Sequence, residues 1–458
     1  MRVTLVVHQF PPNYFTGTES YAHAVGRELL ARGHDVDVFS LEPRFSEADG
    51  PWGESREIVD GLPVRRIHFW MMLGRDWRRM EYRHPMMAET FAEHLRERQP
   101  DVVHSFHLRH VGADLIDRCI EQRRRVVLQL MDFWFLCPRV ILMKSDGSAC
   151  DGPPDGGRGC VPCHAPDLEE QLAASPIGEE ALATARASCG AGGDSQPSWE
   201  LTGKLSSLLE RPDYLMQRLR QTDAVVAPTR FLRDVFIQNG APAELLQHCS
   251  YGVDTKALAN NVATLRAARD HAEPRPLTFG FFGTYSPHKG PDVLIEAFTQ
   301  VQSERVRCVL RGRATDFPEF SGPLQKRAAQ DPRIDMRGPF AREELAEALS
   351  EIDVLIVPST WHENAPFVVL EARAAGLPVF ASRFGGLVEV VDDNVDGELF
   401  APGCADDLAT RLQRLVDEPD RLQRYRAAVQ PPKTLHKAVD EFEALYAEGG
   451  PGPVDCLP

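Results

Sequence analysis

The chain has 458 residues, of which 43% are hydrophobic and 26% are charged, and this composition excludes a disordered or fibrous protein. Its formal net charge of -16 disfavours binding to nucleic acid or to an anionic membrane through bulk electrostatics. The apolar run 1–7 is shorter than a signal peptide requires, and no run approaches the ~20 apolar residues of a membrane helix. We therefore expect a cytoplasmic protein whose cysteines are mostly reduced thiols.

Short β-rich runs alternate with helical patterns along the first half of the chain. They predict a strand at 2–7, a helix over 20–31 and a strand at 35–39. Further strands are predicted at 101–104, 125–130 and 224–227. Alternation of strands and helices on this scale predicts a parallel sheet covered by helices.

The same alternation restarts near residue 275, after the polar helix-like stretch 255–273 and a proline-containing breaker. Strands in this half are predicted at 277–282, 307–310, 353–357 and 378–382. We therefore predict an α/β protein with two Rossmann-like domains. The predicted segments are a first domain 1–254, a linker 255–274, a second domain 275–430, and a C-terminal segment 431–458 whose helix packs back on the first domain.

Two irregular segments are predicted inside the first domain, a cysteine-containing loop 137–164 and an exposed insertion 165–210. The insertion contains the glycine-rich run 190–193, which no predicted strand precedes, so it is interpreted as a linker and not as a dinucleotide-binding turn. No G-x-G-x-x-G turn follows the first strand, and this argues against a nicotinamide or flavin enzyme.

Two glutamates flank the mostly apolar run 364–370 in the second domain. Glu363 stands in the loop after the predicted strand 353–357, and Glu371 lies inside a helix predicted from Pro366. Ligands bind at the carboxyl ends of parallel strands, where helix N-termini offer amides to anions and carboxylates accept from hydroxyl groups. A nucleoside diphosphate sugar combines these groups. The alternative is that Glu363 only starts a helix and that Glu371 is an exposed helix residue.

Two further turns are predicted at the same edge of the second sheet. Lys289 follows the strand 277–282, so it places a cation there. Gly385 and Gly386 follow the strand 378–382, and paired glycines allow backbone amides to approach phosphates closely.

These motifs resemble glycosyltransferase family 4, the retaining nucleotide-sugar transferases with two Rossmann-like domains facing each other across a cleft (the GT-B fold). In the second domain the matching segments are G-T-Y-S-P-H-K-G at 283–290, P-S-T-W-H-E-N-A-P-F-V-V-L-E-A at 358–372, A-G-L-P-V at 375–379 and G-G-L-V-E at 385–389. In the first domain they are P-P-N-Y-F-T-G-T-E-S at 11–20, R-G-H-D-V at 32–36 and S-Y-G-V-D at 250–254.

The resemblance implies roles for individual residues. Glu371 would hold the ribose, Glu363 the hydroxyls of the donor sugar, and Lys289 the diphosphate. With Asp132, Glu363 and Lys289 form the predicted catalytic set. The remaining predicted donor-binding residues are Gly17, which would let the first-domain loop close over the donor, and Gly283, Asn364, Ala365, Pro366, Phe367, Gly385, Gly386 and Arg313.

The sequence departs from the family pattern at two positions. Thr284 stands where members usually carry an arginine, and Arg311, Arg313 or Arg383 could supply the missing cation. Met131 stands where many members carry a histidine. The following Asp132 would line the cleft or cap a turn.

The implied reaction is retaining hexosyl transfer from a nucleoside diphosphate sugar to a saccharide, lipid-linked or small-molecule acceptor in bacterial polysaccharide biosynthesis. The first domain would bind the acceptor. Because no Asp-x-Asp motif stands at a strand end, we expect charge stabilisation by Lys289 and helix-end amides, with no catalytic metal or other cofactor. The alternatives are a nucleotide-sugar epimerase of the same fold and a catalytically degenerate sugar-nucleotide-binding protein.

Residues 67–79 mix aromatic and cationic side chains. They are interpreted either as a peripheral contact with the inner face of the membrane or with a lipid-linked acceptor, or as a buried strand followed by a solvated turn. His8, His104 and His107 lie near strand ends, where they are expected to line the cleft or the core.

Four of the ten cysteines lie within one loop: Cys137, Cys150, Cys160 and Cys163. The last two have the C-x-x-C spacing that lets two thiolates share a tetrahedral ion. A structural zinc is one interpretation, and reduced thiols in a loop are the other.

Overall fold

The computed structural model describes residues 1–45, 50–70, 77–164, 200–270 and 275–447. The chain divides into two compact units, Met1–Ser250 with Ala438–Pro458, and Tyr251–Lys437. Each unit is built on its own sheet, which confirms the predicted α/β class with two Rossmann-like domains. Residues 71–76 of the aromatic and cationic segment and residues 165–199 of the insertion lie outside the described residues.

The first unit has an eight-stranded sheet. Its strands are β1 Arg2–Val7, β2 Asp35–Arg44, β3 Trp52–Val59, β4 Leu62–Trp70, β5 Val102–Ser105, β6 Arg125–Gln129, β7 Ala224–Ala227 and β8 Leu246–His248. Its helices are α1 Gly17–Ala31, α2 Trp77–Met80, α3 Pro85–Arg98, α4 Leu115–Glu121, α5 Val161–His164, α6 Glu200–Leu219 and α7 Arg230–Gln238.

The strand order of this sheet is β3-β4-β2-β1-β5-β6-β7-β8, and all pairs are parallel except β3 with β4. The five residues after Arg2 in β1 are all buried, as expected for a strand paired on both sides and covered by helices. The β3–β4 hairpin was not predicted, because β3 is an edge strand with mostly exposed polar residues and lacks the apolar run of a buried strand.

The second unit has a six-stranded sheet. Its strands are β9 Leu277–Phe282, β10 Val306–Arg311, β11 Ile334–Arg337, β12 Val354–Val357, β13 Val379–Ser382 and β14 Gly397–Phe400. Its helices are α8 Thr255–Asp270, α9 Pro291–Thr299, α10 Pro318–Ala328, α11 Leu345–Glu351, α12 Phe367–Ala374, α13 Leu387–Val390, α14 Ala405–Asp417 and α15 Asp420–Ala428.

All pairs of the second sheet are parallel, in the order β11-β10-β9-β12-β13-β14. This is the Rossmann order, in which the chain winds outward from β9 in one direction and then returns to β12 and winds in the other. The loops that leave β9 and β12 therefore separate at the carboxyl edge of the sheet and open a crevice. Apolar clusters pack on both faces of this sheet.

The predicted linker and the C-terminal segment both contain helices that pack on a unit. The predicted linker 255–274 contains α8, whose Val262 is buried in the core of the second unit and whose Arg266 donates to the carbonyl of Ile352. The last described helix, α16 Leu435–Tyr446, passes from the second unit to the first. There the Tyr446 hydroxyl lies 2.6 Å from Nδ1 of His104.

Candidate active site

The crevice of the second unit brings together two residues that are 74 positions apart in the chain. Lys289 lies in the loop after β9, and Glu363 lies in the loop after β12. The Lys289 ammonium is 2.6 Å from Oε1 of Glu363. The position of each residue after a strand was predicted from sequence, but the direct ion pair between them was not.

Glu363 is the centre of a hydrogen-bonded cluster. Glu363 is only 4% exposed. Its Oε1 atom also accepts hydrogen bonds from Ser359 Oγ at 2.7 Å and from Trp361 Nε1 at 2.8 Å. The Lys289 ammonium lies 4.9 Å from the centre of the Trp361 ring, so the indole contacts both charges. Within the described residues, Oε2 of Glu363 has no hydrogen bond, so one carboxylate oxygen remains available to a ligand.

Glu371 is also buried, and its partner was missed in the sequence. Its side chain forms an ion pair with Arg342, a half-exposed residue that follows β11. Burial raises the pKa of Glu371, and the Arg342 guanidinium opposes that rise. A carboxylate inside a buried helix face requires a partner. However, Arg342 and Glu371 are 29 residues apart in the chain, so no local sequence pattern predicts their pairing.

The glycines at this edge shape the protein backbone. Gly385 has φ +57°, and a Cβ there would lie 2.6 Å from the Glu363 carbonyl oxygen. The amide of Gly386 donates to the same carbonyl at 2.7 Å. The Gly386 N–H therefore holds the Glu363 loop, and donor binding by Gly385 and Gly386 stays a prediction. Gly290 has φ +67° and packs on Pro358 in the same way, with a Cβ position 2.0 Å from its carbonyl oxygen.

The segment before α12 is packed against the start of the second unit. The helix begins at Phe367, with Pro366 extended as its N-cap, one residue later than predicted. The Phe367 ring stacks on Tyr251 with centroids 4.7 Å apart, and the Asn364 amide lies 3.5 Å from the Tyr251 hydroxyl. Ala365 is buried. The segment thus has a fixed position at the carboxyl edge of the sheet.

The three arginines considered as the missing cation differ in their partners. Arg383 forms an ion pair with Asp393 and donates to the Leu399 carbonyl. Arg313 is largely exposed, 3.6 Å from Asp316. The Arg311 guanidinium lies 4.9 Å from the centre of the Phe340 ring, and its buried Nε has no hydrogen-bond partner among the described residues. Donor binding by Arg313 stays a prediction. Of the three arginines, Arg383 has both an ion pair and a hydrogen bond to the backbone.

In the first unit, Asp132 follows β6 and is held by two donors. Its Oδ1 accepts from the Trp134 amide at 2.8 Å, and its Oδ2 is 3.0 Å from Nε2 of His107. Because Nδ1 of His107 accepts from the Arg109 amide at 3.1 Å, Nε2 carries a proton and donates a hydrogen bond to Asp132. Burial raises the pKa of Asp132, but His107 and the Trp134 amide outweigh burial and lower it.

A second imidazole–carboxylate contact lies next to the first. His8 follows β1, and its Nε2 is 3.2 Å from Oε1 of the buried Glu19 in the first turn of α1. The His8 and His107 rings are 4.4 Å apart. Burial and the neighbouring His107 hold the pKa of His8 well below its usual value. Glu19 was missed because an acid in a first helical turn usually reads as a solvated helix-start residue. Gly17, predicted in a loop, is the first residue of α1.

The thiols of Cys137, Cys150 and Cys163 all lie near that of Cys160. Cys137 and Cys160 are buried, and Cys150 and Cys163 are half-buried. Burial and the neighbouring thiols raise the pKa of Cys160 to about 12. Among the described residues no group of three or more His, Cys, Asp or Glu could hold a metal ion. Structural zinc stays a prediction, which elemental analysis of wild type and Cys160→Ser/Cys163→Ser protein would test.

No helix in the described ranges is long and apolar enough to cross a membrane.

Two family descriptions match the chain. Residues 265–430 match "Glycosyl transferases group 1", and residues 16–151 match "Glycosyl transferase 4-like domain". Among similar proteins, a D-inositol 3-phosphate glycosyltransferase of Xylanimonas cellulosilytica is 34% identical over 40% of this chain and 46% of its own. One of Rhodococcus jostii is 29% identical over 45% and 47%. The chain spans about half the length of the curated relatives it matches.

Solved structures share the fold at low sequence identity. HepE of Anabaena, in complex with UDP and glucose, has a TM-score of 0.63 and 16% identity, over 97% of this chain and 98% of its own. Sucrose-phosphate synthase of Thermosynechococcus elongatus has a TM-score of 0.63 and 17% identity, over 97% and 98%. These likenesses confirm the GT-B fold class. With the two family matches, the chain belongs to the family 4-like glycosyltransferases.

Proposed function

We propose that the protein transfers a hexosyl group from a nucleoside diphosphate sugar to a hydroxyl group of a small acceptor, with retention at the anomeric carbon. The observation that carries this proposal is Glu363. Three donors fix its Oε1 atom, while Oε2 is left for a ligand at the carboxyl edge of the sheet.

The proposed roles follow from the charges that change during transfer. The bond from the anomeric carbon to the diphosphate breaks, while the acceptor oxygen forms a bond to that carbon and its proton passes to the departing diphosphate. Negative charge therefore develops on the leaving diphosphate, and Lys289 is the cation placed to stabilise it. Oε2 of Glu363 accepts a hydrogen bond from a hydroxyl of the transferred sugar. Glu371 accepts hydrogen bonds from the ribose hydroxyls, and Arg342 stabilises its charged form.

The proposed acceptor is a small molecule rich in hydroxyl groups. The curated relatives cited above are called D-inositol 3-phosphate glycosyltransferases, which supports a small, hydroxyl-rich acceptor. Saccharide and lipid-linked acceptors are the other candidates. We place the reaction in bacterial polysaccharide biosynthesis in the cytoplasm, with the inner membrane face as the site of any peripheral contact.

Donor binding is the first test. Titration calorimetry with UDP, GDP and ADP should show one nucleotide binding at least ten times more tightly than the others, and UDP is the first candidate because HepE binds it. Incubation with the matching nucleotide sugars then separates the alternatives. Slow hydrolysis or transfer supports a transferase, a change in the sugar alone an epimerase, and binding without turnover a sugar-nucleotide-binding protein.

Two further measurements test the mechanism. Activity should survive EDTA, because Lys289 and helix-end amides are proposed to do the work of a catalytic metal. NMR of the product should show the anomeric configuration of the donor. Loss of activity in EDTA that Mg²⁺ or Mn²⁺ restores would refute metal independence, and an inverted product would refute retention.

A further inference from the structure

A polar pocket of about 550 Å³ opens in the first unit, apart from the residues discussed so far. Three segments line it. The loop after β1 contributes Asn13, the end of β2 contributes Glu42 and Phe45, and the β3–β4 hairpin contributes Ser55 and His68. The pocket thus lies where β1 and β2 end, at the edge of a parallel sheet at which ligands bind in α/β proteins.

Arg66 of β4 holds the three segments together. The residue is 2% exposed and donates to the carbonyls of Phe10 and Pro11, at 3.1 Å and 2.8 Å. It also donates to Glu57 of β3 at 2.7 Å and to Glu42 of β2 at 3.3 Å. A buried ion cluster costs desolvation energy and contributes little net stability. Its effect here is geometric, because one guanidinium fixes the β1 loop against two strands and keeps the pocket preformed.

The lining carries donors and acceptors with little net charge. Arg44 and Arg66 are balanced by Glu42 and Glu57. Burial and the nearby Arg44 lower the pKa of His68, so the imidazole is neutral at physiological pH, and its Nε2 lies 2.8 Å from the Ser55 hydroxyl. Such a mixture of donors and acceptors with little net charge suits hydroxyl groups, which both donate and accept, better than it suits a phosphate.

Phe45 adds an apolar surface at the rim. Its ring is 75% exposed at the end of β2, and it lines the same pocket. A polar floor beside one exposed aromatic face matches a ring that has hydroxyls around its edge and C–H groups on its faces. Hydrogen-bonding side chains and an apolar platform are thus combined in one preformed cavity.

We propose that this pocket binds a cyclic polyol, such as a sugar or inositol ring, as the acceptor of the transfer. The acceptor role rests on the proposed function, whereas binding of the polyol does not. Asn13, Glu42, Ser55 and His68 would bond the hydroxyls, and Phe45 would pack against the ring.

Pocket-filling variants test the proposal. Ser55→Phe places a ring inside the pocket. Ile58→Phe is the matched control, because Ile58 lies three residues further along β3, on the opposite face, and is 75% exposed. Asn13→Ala is a second variant that leaves the sheet intact. The probes are myo-inositol, methyl α-D-glucopyranoside and methyl α-D-mannopyranoside, with binding followed by saturation-transfer NMR and calorimetry, and UDP affinity measured on every variant.

We expect at least one probe to bind wild type and Ile58→Phe equally, with binding weakened about tenfold or more in Ser55→Phe and several-fold in Asn13→Ala. UDP affinity should be the same in all four proteins. The proposal is overturned if no probe binds wild type, or if Ser55→Phe with unchanged UDP affinity still binds it. If Ser55→Phe loses UDP affinity as well, Asn13→Ala decides in the same way. Polyol binding without UDP binding by wild type would instead refute the proposed function and leave the pocket a polyol site.

Discussion

The carboxyl edges of the two sheets both hold carboxylates that are buried or half-buried, but the partners of these carboxylates differ. In the second unit Glu363 and Glu371 are paired with Lys289 and Arg342. In the first unit Asp132 is paired with His107, and the neighbouring Glu19 with His8. Lysine and arginine ordinarily carry a full charge at neutral pH, whereas imidazole is mostly neutral there. Both are carboxyl edges of parallel strands, but the carboxylates of the second are paired with lysine and arginine and those of the first with imidazoles.

The largest expected effect is on the second edge. Glu363→Ala leaves the ammonium of Lys289, the Ser359 hydroxyl and the Trp361 indole N–H without their common acceptor. We expect kcat to fall about 100- to 1000-fold, or ~3–4 kcal/mol in the activation barrier, with UDP affinity changed much less. Glu363→Gln retains an oxygen for the three donors and should lose less. Near-wild-type turnover of Glu363→Ala would contradict the assignment.

The next effect concerns the acid stability of the first unit. Burial lowers the pKa of His84 to about 4 and that of His104 to about 3. Because both folded-state pKa values lie below the unfolded value of about 6.5, these neutral imidazoles stabilise the fold above pH ~6.5. That stability is lost as the pH falls towards the folded-state values. Between about pH 7 and 5.5 these two histidines should together contribute a loss of about 2.5 kcal/mol to the free energy of unfolding.

Hydrogen exchange, corrected for the intrinsic exchange rate at each pH, can follow this loss in peptides of the first unit within the full chain. His104→Gln should remove the contribution of His104, about 1.2 kcal/mol of that loss, even if it lowers the stability itself. If protection in these peptides does not change between the two pH values, these histidines are not buried and neutral.

The third expected effect is on nucleotide affinity. Glu371→Ala removes a buried carboxylate whose charged form Arg342 stabilises. We expect the Kd for UDP to rise about ten- to a hundredfold, because charge-assisted hydrogen bonds to the ribose are lost. This corresponds to ~1.5–3 kcal/mol in binding free energy. Glu347→Ala, at an exposed position of α11, is the control and should bind UDP normally. Calorimetry in which both variants match wild type would exclude Glu371 as a ribose ligand.

The smallest effect sharpens the role of the first edge. His107 lowers the pKa of Asp132, so His107→Ala should raise it and move the acid limb of the pH profile of kcat/KM to higher pH. A shift of up to about one pH unit is expected, or ~1.4 kcal/mol. His104→Gln, whose imidazole contacts Tyr446 and not Asp132, should leave the limb in place. An unmoved limb in His107→Ala would mean that Asp132 does not act in the ionised form.

The sequence by itself determined the α/β class, two sheets and most of their central strands. Buried strands are runs of consecutive apolar residues, and their signal is local; 2–7 and 277–282 were predicted at the bounds observed. The positions of Lys289, Glu363 and Glu371 after strands and inside a helix were readable for the same reason. The edge strand β3 had no such signal, because one side of it faces solvent and its residues are mostly polar.

Only the tertiary structure decided which residues became partners. Arg342 meets Glu371 across 29 residues, Lys289 meets Glu363 across 74, and Arg66 meets the carbonyl of Phe10 across 56. Each pairing depends on which strands are neighbours in the sheet and on the direction in which the loops leave them. The packing of whole helices and strands fixes both. A charge in a sequence shows what a side chain can do, but the burial that gives it a partner is a property of the fold.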